Sequence, residues 1–317
     1  MNDPLALPWL LPPPDGFRQV AKALRLAEDC SPDEVGALSR FALDLSQLGQ
    51  LGKVVERHRE SLSQSSRFRA LRLGVVATHT SDLVAEALAP TSLRHGLLVE
   101  CERADYGQAA QELLDPSSRI AAFKPDFVLL ALDIHALGLS RPVLDEQDAE
   151  RAVENAVDYV AMLRDGCHAN LGAGAVLHTL APPPESLFGN FDACHPGTVA
   201  SLVATFNRCL VTELVRDGDL LVDIARIANT VGLARWHDPL RWHDAKMPFA
   251  LDAIPLYADH VCRVLAAARG LARKCLVLDL DNTLWGGVIG DDGLEGIALG
   301  QGSASGEAHL AIQPRLR

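Results

Sequence analysis

Between residues 71 and 270, short apolar runs alternate with longer stretches of helical periodicity. The run PDFVLLALDIHAL at 125–137 is apolar without alternation, which is typical of a strand buried on both faces of a parallel sheet. Four further short runs lie within LRLGVVATHT, LLVECERADYG, GAGAVLHTLAPPP and DLLVDIARIANTVG. Amphipathic stretches such as 145–165 separate them. The alternation predicts an α/β fold, a three-layer, doubly wound arrangement with a mostly parallel sheet.

The chain divides into three predicted parts. Residues 1–68 form a helical amino-terminal segment, in which Ser31 caps a helix that begins with Pro32. Residues 69–270 form the α/β domain, and residues 271–317 begin a further domain. Ligands of doubly wound sheets bind outside the carboxyl ends of the strands. The segments ATHTSD, ADYG, LDIH and TLAPPP are therefore candidate site loops.

Charge and cysteine usage narrow the function classes. The formal net charge of −12 argues against sequence-independent binding to nucleic acid or to an anionic membrane. The amino terminus has no basic region ahead of an apolar one, and no apolar run is long enough to span a bilayer. The seven cysteines form no CxxC pair. We expect reduced thiols and a cytoplasmic location.

The segment LVLDLDNTLWGG at 276–287 places two aspartates after an apolar run. Residues two apart on an extended strand point the same way, so Asp279 and Asp281 can share one pocket. A carboxylate at a strand end can attack phosphorus and form an aspartyl-phosphate. The alternative is a solvated acidic turn, with Asn282 as a turn residue.

These residues resemble the first motif, DxDx[TV], of the haloacid dehalogenase (HAD) superfamily. The longer segment KCLVLDLDNTLWGGVIGDDGLEGI, with LGQGSASGEAHLAIQ, resembles the FkbH-like subfamily. The resemblance implies that Asp279 is the nucleophile and Asp281 the general acid/base. It also implies that the Asp279 side chain and the Asp281 backbone carbonyl bind Mg²⁺, while Thr283 supports the loop.

The other catalytic groups of that superfamily have no clear match. After the motif only Ser303 and Ser305 offer serine or threonine hydroxyls, no lysine follows Lys274, and the last acid is Glu307. We therefore expect an incomplete HAD domain, inactive in this chain alone. Its first strand is expected to be loosely held or to dock on the upstream domain.

The upstream residues also resemble FkbH-like proteins, in YGQAAQELLDPSSRIAAFKPDFVLLALD and RWHDPLRWHDAKMPFA. That region is related to SGNH hydrolases, which implies a flavodoxin-like three-layer fold. Mapping the SGNH pattern gives Ser81 or the adjacent Thr80 as nucleophile, Gly107 as an oxyanion donor and His243 as base. Where an Asn is expected, the third strand ends with Asp133 and His135. Asp238 stands five residues before His243 rather than three, so the catalytic pattern is partial.

The resemblance implies a function in polyketide-type pathways. Such proteins take 1,3-bisphosphoglycerate, a small phosphorylated acyl substrate, remove phosphate and deliver a glyceryl group to an acyl carrier protein. Lys246 is a candidate for binding the phosphate or the carrier, or is simply solvated. Two alternatives remain open: an SGNH-type esterase or acyltransferase, and a non-catalytic module that docks a carrier protein. A metal site at His237, Asp238 and His243 is a further, weaker interpretation because their spacing suits no single helix face.

Overall fold

The computed structural model describes residues 3–316 and divides into two compact units. One unit runs to Leu271, and the other begins at Ala272. Among the helices of residues 3–316, none combines the length and the apolar character needed to cross a bilayer.

A parallel sheet forms the centre of the first unit. Within the described residues its strands are β1 (Arg69–Ala77), β2 (Leu97–Arg103), β3 (Phe127–Ala131), β4 (Gly174–His178) and β5 (Leu220–Val222). They lie in the order β2-β1-β3-β4-β5, and each neighbouring pair is parallel. The strand order reverses direction between β1 and β3, as in flavodoxin-like sheets.

Helices cover both faces of this sheet. In the described part of the first unit they are α1 (Phe17–Leu26), α2 (Pro32–Leu38), α3 (Leu45–Arg57), α4 (Arg59–Gln64), α5 (Asp82–Ser92), α6 (Ala109–Leu114), α7 (Arg119–Phe123), α8 (Glu146–Leu171), α9 (Val199–Cys209), α10 (Ile224–Val231), α11 (Leu233–Trp236), α12 (Pro239–Ala245) and α13 (Ile254–Ala268). On one face α5 packs against α3 and α13, and on the other α8 packs against α6 and α9. The predicted three-layer, doubly wound α/β fold is confirmed.

The continuous apolar run of β3 serves two cores. Leu129 and Ala131 belong to the core under α5 and α13, whereas Val128 and Leu130 belong to the core under α8 and α9. Successive side chains of a strand point to opposite faces, so a strand covered on both sides needs apolar residues throughout. The absence of alternation in the sequence therefore follows from burial on both faces.

The amino-terminal helices pack onto the first of these cores. Leu48 and Leu51 of α3 are fully buried in it. The predicted start of α2 is confirmed: the Ser31 hydroxyl accepts from the backbone N–H of Asp33, and Glu34 accepts from the backbone N–H of Ser31. Such a reciprocal cap satisfies amide groups that the first helical turn leaves unpaired.

The second unit differs from the expectation for its first strand. Residues 274–280 form no regular strand, and Leu276 and Val277 are 70% and 88% exposed. A strand is held by hydrogen bonds from a neighbouring strand, and the described residues 272–316 contain only isolated bridges, Asp281 with Trp285 and Gly286 with Ala298. Two short helices follow, α14 (Ile289–Gly296), interrupted at Gly293, and α15 (Ala304–Ile312).

Candidate functional site

A pocket of about 460 Å³ opens at the carboxyl end of the sheet in the first unit. Residues that follow the strands line it, including His79 after β1, Asp133 and His135 after β3, and Thr179 after β4. A parallel sheet concentrates ligand sites at this edge, because the loops that follow neighbouring strands converge there. The volume is typical of a small-molecule site.

Aromatic side chains from the last third of the unit form one wall of the pocket. Trp236 packs against Phe249 with ring centroids 5.0 Å apart, and Phe249 packs against Tyr257 at the same distance. All three are buried and line the pocket. Rings at these separations hold each other in place and give the pocket a firm apolar wall.

Two threonine–aspartate pairs fix the loops at the strand ends. The Thr78 hydroxyl donates to Asp133 Oδ2 over 2.6 Å, and Asp133 Oδ1 accepts from the backbone N–H groups of His135 and Ala136. The Asp133 carboxylate, a candidate oxyanion-site residue, is thus engaged in holding the loop after β3. The second pair joins Thr179 to Asp223 over 3.0 Å.

His178 presents an unused acceptor to the pocket. Its Nδ1 lies 3.0 Å from the Thr179 carbonyl oxygen, and a carbonyl only accepts, so Nδ1 carries the hydrogen. Nε2 then holds a lone pair; it is buried and has no hydrogen-bond partner in the described residues. Burial lowers the pKa of His178 to about 4, so the ring is neutral at pH 7.

Tyr257 presents an unused donor beside it. Its ring meets that of His178 edge-on, with centroids 6.2 Å apart. The side chain is 2% exposed, and its hydroxyl has no partner in residues 3–316. Burial raises the pKa of Tyr257, so the hydroxyl keeps its proton. Buried polar groups are nearly always hydrogen-bonded, so two exceptions on neighbouring rings in one pocket point to a ligand group or an ordered water there.

His79 and His135 also line the pocket. His79 Nδ1 donates to the Thr80 carbonyl oxygen over 3.1 Å, and burial lowers the pKa of His79. His135 stacks on Trp242 with ring centroids 4.1 Å apart, and burial lowers its pKa as well. Both rings are therefore held mainly in their neutral form at pH 7.

Lys246, the candidate for binding phosphate or carrier, lies outside the pocket lining. Its ammonium group sits 5.3 Å from the centre of the Trp242 ring, and its side chain is exposed. The residue ends α12 with a φ of 50°, and its carbonyl oxygen accepts from the Thr80 N–H. The structure places this cation near the rim of the pocket.

The three residues of the SGNH-like pattern do not meet in the pocket. Ser81 is buried before α5, and Gly107 lies in a turn with a φ of 75°. His243 lines the pocket, but Ser81 and Gly107 do not. Of the serine and threonine residues in the pocket, Ser140, Thr179 and Ser186, none donates to a histidine in the part of the chain that the structure describes. The hydrogen-bonded nucleophile–base pair of a serine hydrolase is therefore not preassembled there.

His237 and Asp238 have structural roles of their own. His237 Nε2 donates to the Pro182 carbonyl oxygen over 2.8 Å, and Asp238 caps α12 by accepting from the Arg241 N–H. Residues 3–316 contain no group of three His, Cys, Asp or Glu side chains placed to hold a metal ion.

In the second unit, Asp281 organises the loop that contains the aspartate motif. Its Oδ1 accepts from Trp285 Nε1 over 3.0 Å and from the Ile289 N–H over 3.2 Å. Asn282 has a φ of 53° and accepts from the Gly287 N–H. The residues Trp285 and Gly287 of the motif therefore close a loop around the Asp281 carboxylate.

Asp279 and Thr283 flank this loop. The Asp279 side chain is exposed, and its Oδ1 accepts from the Leu280 N–H over 2.8 Å. The Thr283 carbonyl oxygen lies 3.2 Å from His309 Nδ1, which connects the loop to α15. A carboxylate and the Asp281 backbone carbonyl are the oxygen ligands that Mg²⁺ accepts, with phosphate and water oxygens completing its shell. These oxygen atoms are therefore of the type that binds Mg²⁺.

Sequence patterns alone did not single out His178 and Tyr257. His178 follows the last buried residues of an apolar run, and such histidines are usually loop residues. Tyr257 stands in a helix with nothing to mark it. The only sequence signal was the position of His178 at a strand end, where doubly wound sheets bind ligands.

Comparisons with known proteins place this geometry in context. A family model described as FkbH, N-terminal domain, matches residues 72–266. A search of curated proteins found no match. Among solved structures, the chain is similar to the N-terminal part of the protein BF1531 from Bacteroides fragilis, described as containing a phosphatase domain complexed with Mg. The TM-score is 0.73 at 22% identity, over 86% of this chain and 70% of that chain, which supports the fold.

Proposed function

The chain belongs to the FkbH N-terminal domain family, and from that premise we propose that it works in a HAD-type phosphatase and glyceryl transferase. In this proposal the protein takes 1,3-bisphosphoglycerate, removes phosphate and delivers a glyceryl unit to an acyl carrier protein, in the cytoplasm and as part of polyketide-type biosynthesis. The family match and the motif LVLDLDNTLWGG support it.

The exposed carboxylate of Asp279 carries the phosphatase proposal. One oxygen accepts from the Leu280 N–H, which leaves the other to attack phosphorus in line. A bond from Asp279 to phosphorus forms as the bond from phosphorus to the alcohol oxygen at carbon 3 breaks, and Asp281 gives that oxygen a proton. The acyl phosphate at carbon 1 stays intact in this step, and its phosphate leaves when the carrier thiol attacks the acyl carbon. Water then releases phosphate from the aspartyl-phosphate.

Mg²⁺ is the proposed cofactor, and the Mg named for the Bacteroides fragilis structure supports that choice. The Asp279 carboxylate and the Asp281 carbonyl would hold it, and when bound it neutralises phosphate charge. Thr283 would keep the loop in position through its contact with α15.

Phosphate release tests this proposal directly. The protein that carries these residues is assayed with a phosphate monoester, 3-phosphoglycerate, and Mg²⁺, beside Asp279→Asn and the control Asp291→Asn, an exposed acid on α14. Asp279→Asn should lose phosphate release, and Asp291→Asn should keep it. Equal and measurable rates of phosphate release for the parent and Asp279→Asn would rule out Asp279 as the nucleophile.

A second proposed role concerns the first unit, as a binding module rather than an esterase. The observation that favours binding is the pocket, whose hydroxyls donate to no histidine in the described residues. Ester hydrolysis lost on Ser81→Ala or His243→Ala, or labelling by a serine-directed phosphonate, would instead support the SGNH-type esterase or acyltransferase.

A further inference from the structure

The pocket lining offers one hydrogen-bond donor and one acceptor on two neighbouring rings. The acceptor is His178 Nε2, since Nδ1 donates to the Thr179 carbonyl oxygen. The donor is the Tyr257 hydroxyl, whose ring meets His178 edge-on. Both atoms are buried without a partner in residues 3–316, and both residues line the pocket.

The charges around the pocket disfavour an anion. The described residues that line the pocket include no Lys or Arg. Four carboxylates do line it: Asp133, Glu185, Asp192 and Asp238. The guanidinium or ammonium group that would pair with a phosphate is therefore missing from the lining. Lys246, near the rim, is turned to Trp242 instead.

The apolar and aromatic side chains that line the pocket favour a ligand with an apolar or flat portion. Trp236, Phe249 and Met247 are buried in the lining, and His135 stacked on Trp242 forms a further flat surface. A volume of about 460 Å³ accommodates a small molecule or the extended chain of a larger ligand.

We propose that this pocket binds an uncharged ligand whose inner end carries an amide or hydroxyl group, and that it excludes the phosphorylated substrate. An amide or hydroxyl donates one hydrogen bond and accepts another, which matches His178 Nε2 and the Tyr257 hydroxyl together. The ligand site of the first unit is then chemically distinct from the phosphate site at Asp279. The pocket chemistry stands without the proposed function, and only the choice of probe rests on it.

Pantetheine is the probe, because it is uncharged and carries both secondary amides and hydroxyls. Binding to the protein is followed by tryptophan fluorescence, since Trp236 and Trp242 line the pocket, and by calorimetry. We expect saturable binding that neither inorganic phosphate nor 3-phosphoglycerate competes away. No saturable signal, or full competition by either anion, overturns the proposal.

Tyr257→Phe removes the donor and keeps the ring, and Tyr106→Phe is its matched control on an exposed tyrosine. Tyr257→Phe should weaken pantetheine binding by about tenfold, the usual effect of deleting one buried ligand hydrogen bond. Because the parent hydroxyl is unpartnered, the variant should melt at the same temperature or higher. Unchanged affinity in Tyr257→Phe contradicts the assignment.

Nitrogen NMR of the histidine rings gives a second measurement that does not depend on a variant. His178 should show the Nδ1–H tautomer, and its Nε2 resonance should shift when pantetheine binds; a static Nε2 resonance under saturation contradicts the proposal. Asp279→Asn separates the two sites: it should lose phosphate release and keep pantetheine binding. A protein that binds pantetheine and releases phosphate equally well with and without Asp279→Asn refutes the proposed function alone.

Discussion

Arg94 and Asp259 are buried together under the sheet, with the guanidinium 3.7 Å from the carboxylate and side chains 4% and 0% exposed. His95 Nε2 lies 2.9 Å from the same carboxylate, and Arg263 approaches its other oxygen at 2.7 Å. One buried carboxylate thus faces two guanidinium groups and an imidazole. Removing one member of such a cluster leaves uncompensated charge in the interior.

Asp259→Asn should therefore lower the free energy of unfolding by about 3–5 kcal/mol, the usual cost of leaving a buried ion without its partner. Urea denaturation measures it. The matched control is Asp148→Asn, which removes an exposed partner of Arg151 and should change stability by less than about 1 kcal/mol. Similar losses in both variants would show that Asp259 is no more important than a surface acid.

The stabilisation that the Asp259 cluster contributes should depend on pH. Burial raises the pKa of Asp259, but the His95 hydrogen bond and the charges of Arg94 and Arg263 outweigh it and hold that pKa below its ordinary value of 3.8. A lowered carboxyl pKa contributes stability above the unfolded value, and this contribution disappears as the pH falls through the folded pKa. The stability difference between the parent and Asp259→Asn should thus narrow below about pH 4. A constant difference down to complete acid unfolding would contradict this.

His178 in the pocket should give the free energy of unfolding a second pH dependence, at milder acidity. His178 titrates at about 4 when folded against 6.5 as its ordinary value. Between these values the unfolded chain binds more protons, so the free energy of unfolding should fall as the pH is lowered from 6.5 towards 4. His178→Gln should make this fall shallower in urea denaturation at several pH values. An unchanged slope would place the titrating group elsewhere.

The Thr78–Asp133 pair should matter for both stability and the pocket. Thr78→Val keeps the shape of the side chain and leaves Asp133 without its hydroxyl donor, at a cost of about 1–3 kcal/mol. Tryptophan fluorescence should also change, because the loop after β3 carries His135, which stacks on Trp242. The control is Thr230→Val, at an exposed threonine of α10. This variant should change neither the stability nor the tryptophan fluorescence. Matching results for the two variants would exclude a role for the pair in holding the loop.

In the second unit, Trp285→Phe removes the indole N–H that binds Asp281 Oδ1 and keeps an aromatic ring. If Asp281 acts as the proton donor, phosphate release should fall by about tenfold, because a hydrogen bond to a charged group contributes about 1.5–3 kcal/mol. Trp9→Phe, at an exposed tryptophan of the first unit, should leave the rate unchanged. A full rate in Trp285→Phe would show that the loop holds Asp281 without the indole.

The sheet and its helices were predictable because their signals are local. The unbroken apolar run at 125–137 is enough to place β3 inside a parallel sheet, and Ser31 with Glu34 is enough to start α2. The pocket depends instead on residues brought together by tertiary packing. Tyr257 reaches His178 only once α13 has packed on the sheet, and no pattern near either residue records that contact.

The apolar run before Asp279 shows where a local sequence signal is not enough to predict a strand. Its residues have strand propensity, but strand hydrogen bonds come from another segment, and Leu276 and Val277 remain exposed. The chemistry of two aspartates two residues apart points to Asp281, whereas its hydrogen bonds to Trp285 and Ile289 arise only in the folded loop. Spacing predicted which residues matter there and not how they are held.

The order of the strands has a consequence for synthesis on the ribosome. β1 lies between β2 and β3, so the first strand to leave the exit tunnel is an interior one. The core beside it also needs residues of α13, such as Val261 and Leu265. Between the emergence of β1 and that of α13, the nascent chain carries an uncovered apolar face, the kind of surface that promotes aggregation during synthesis.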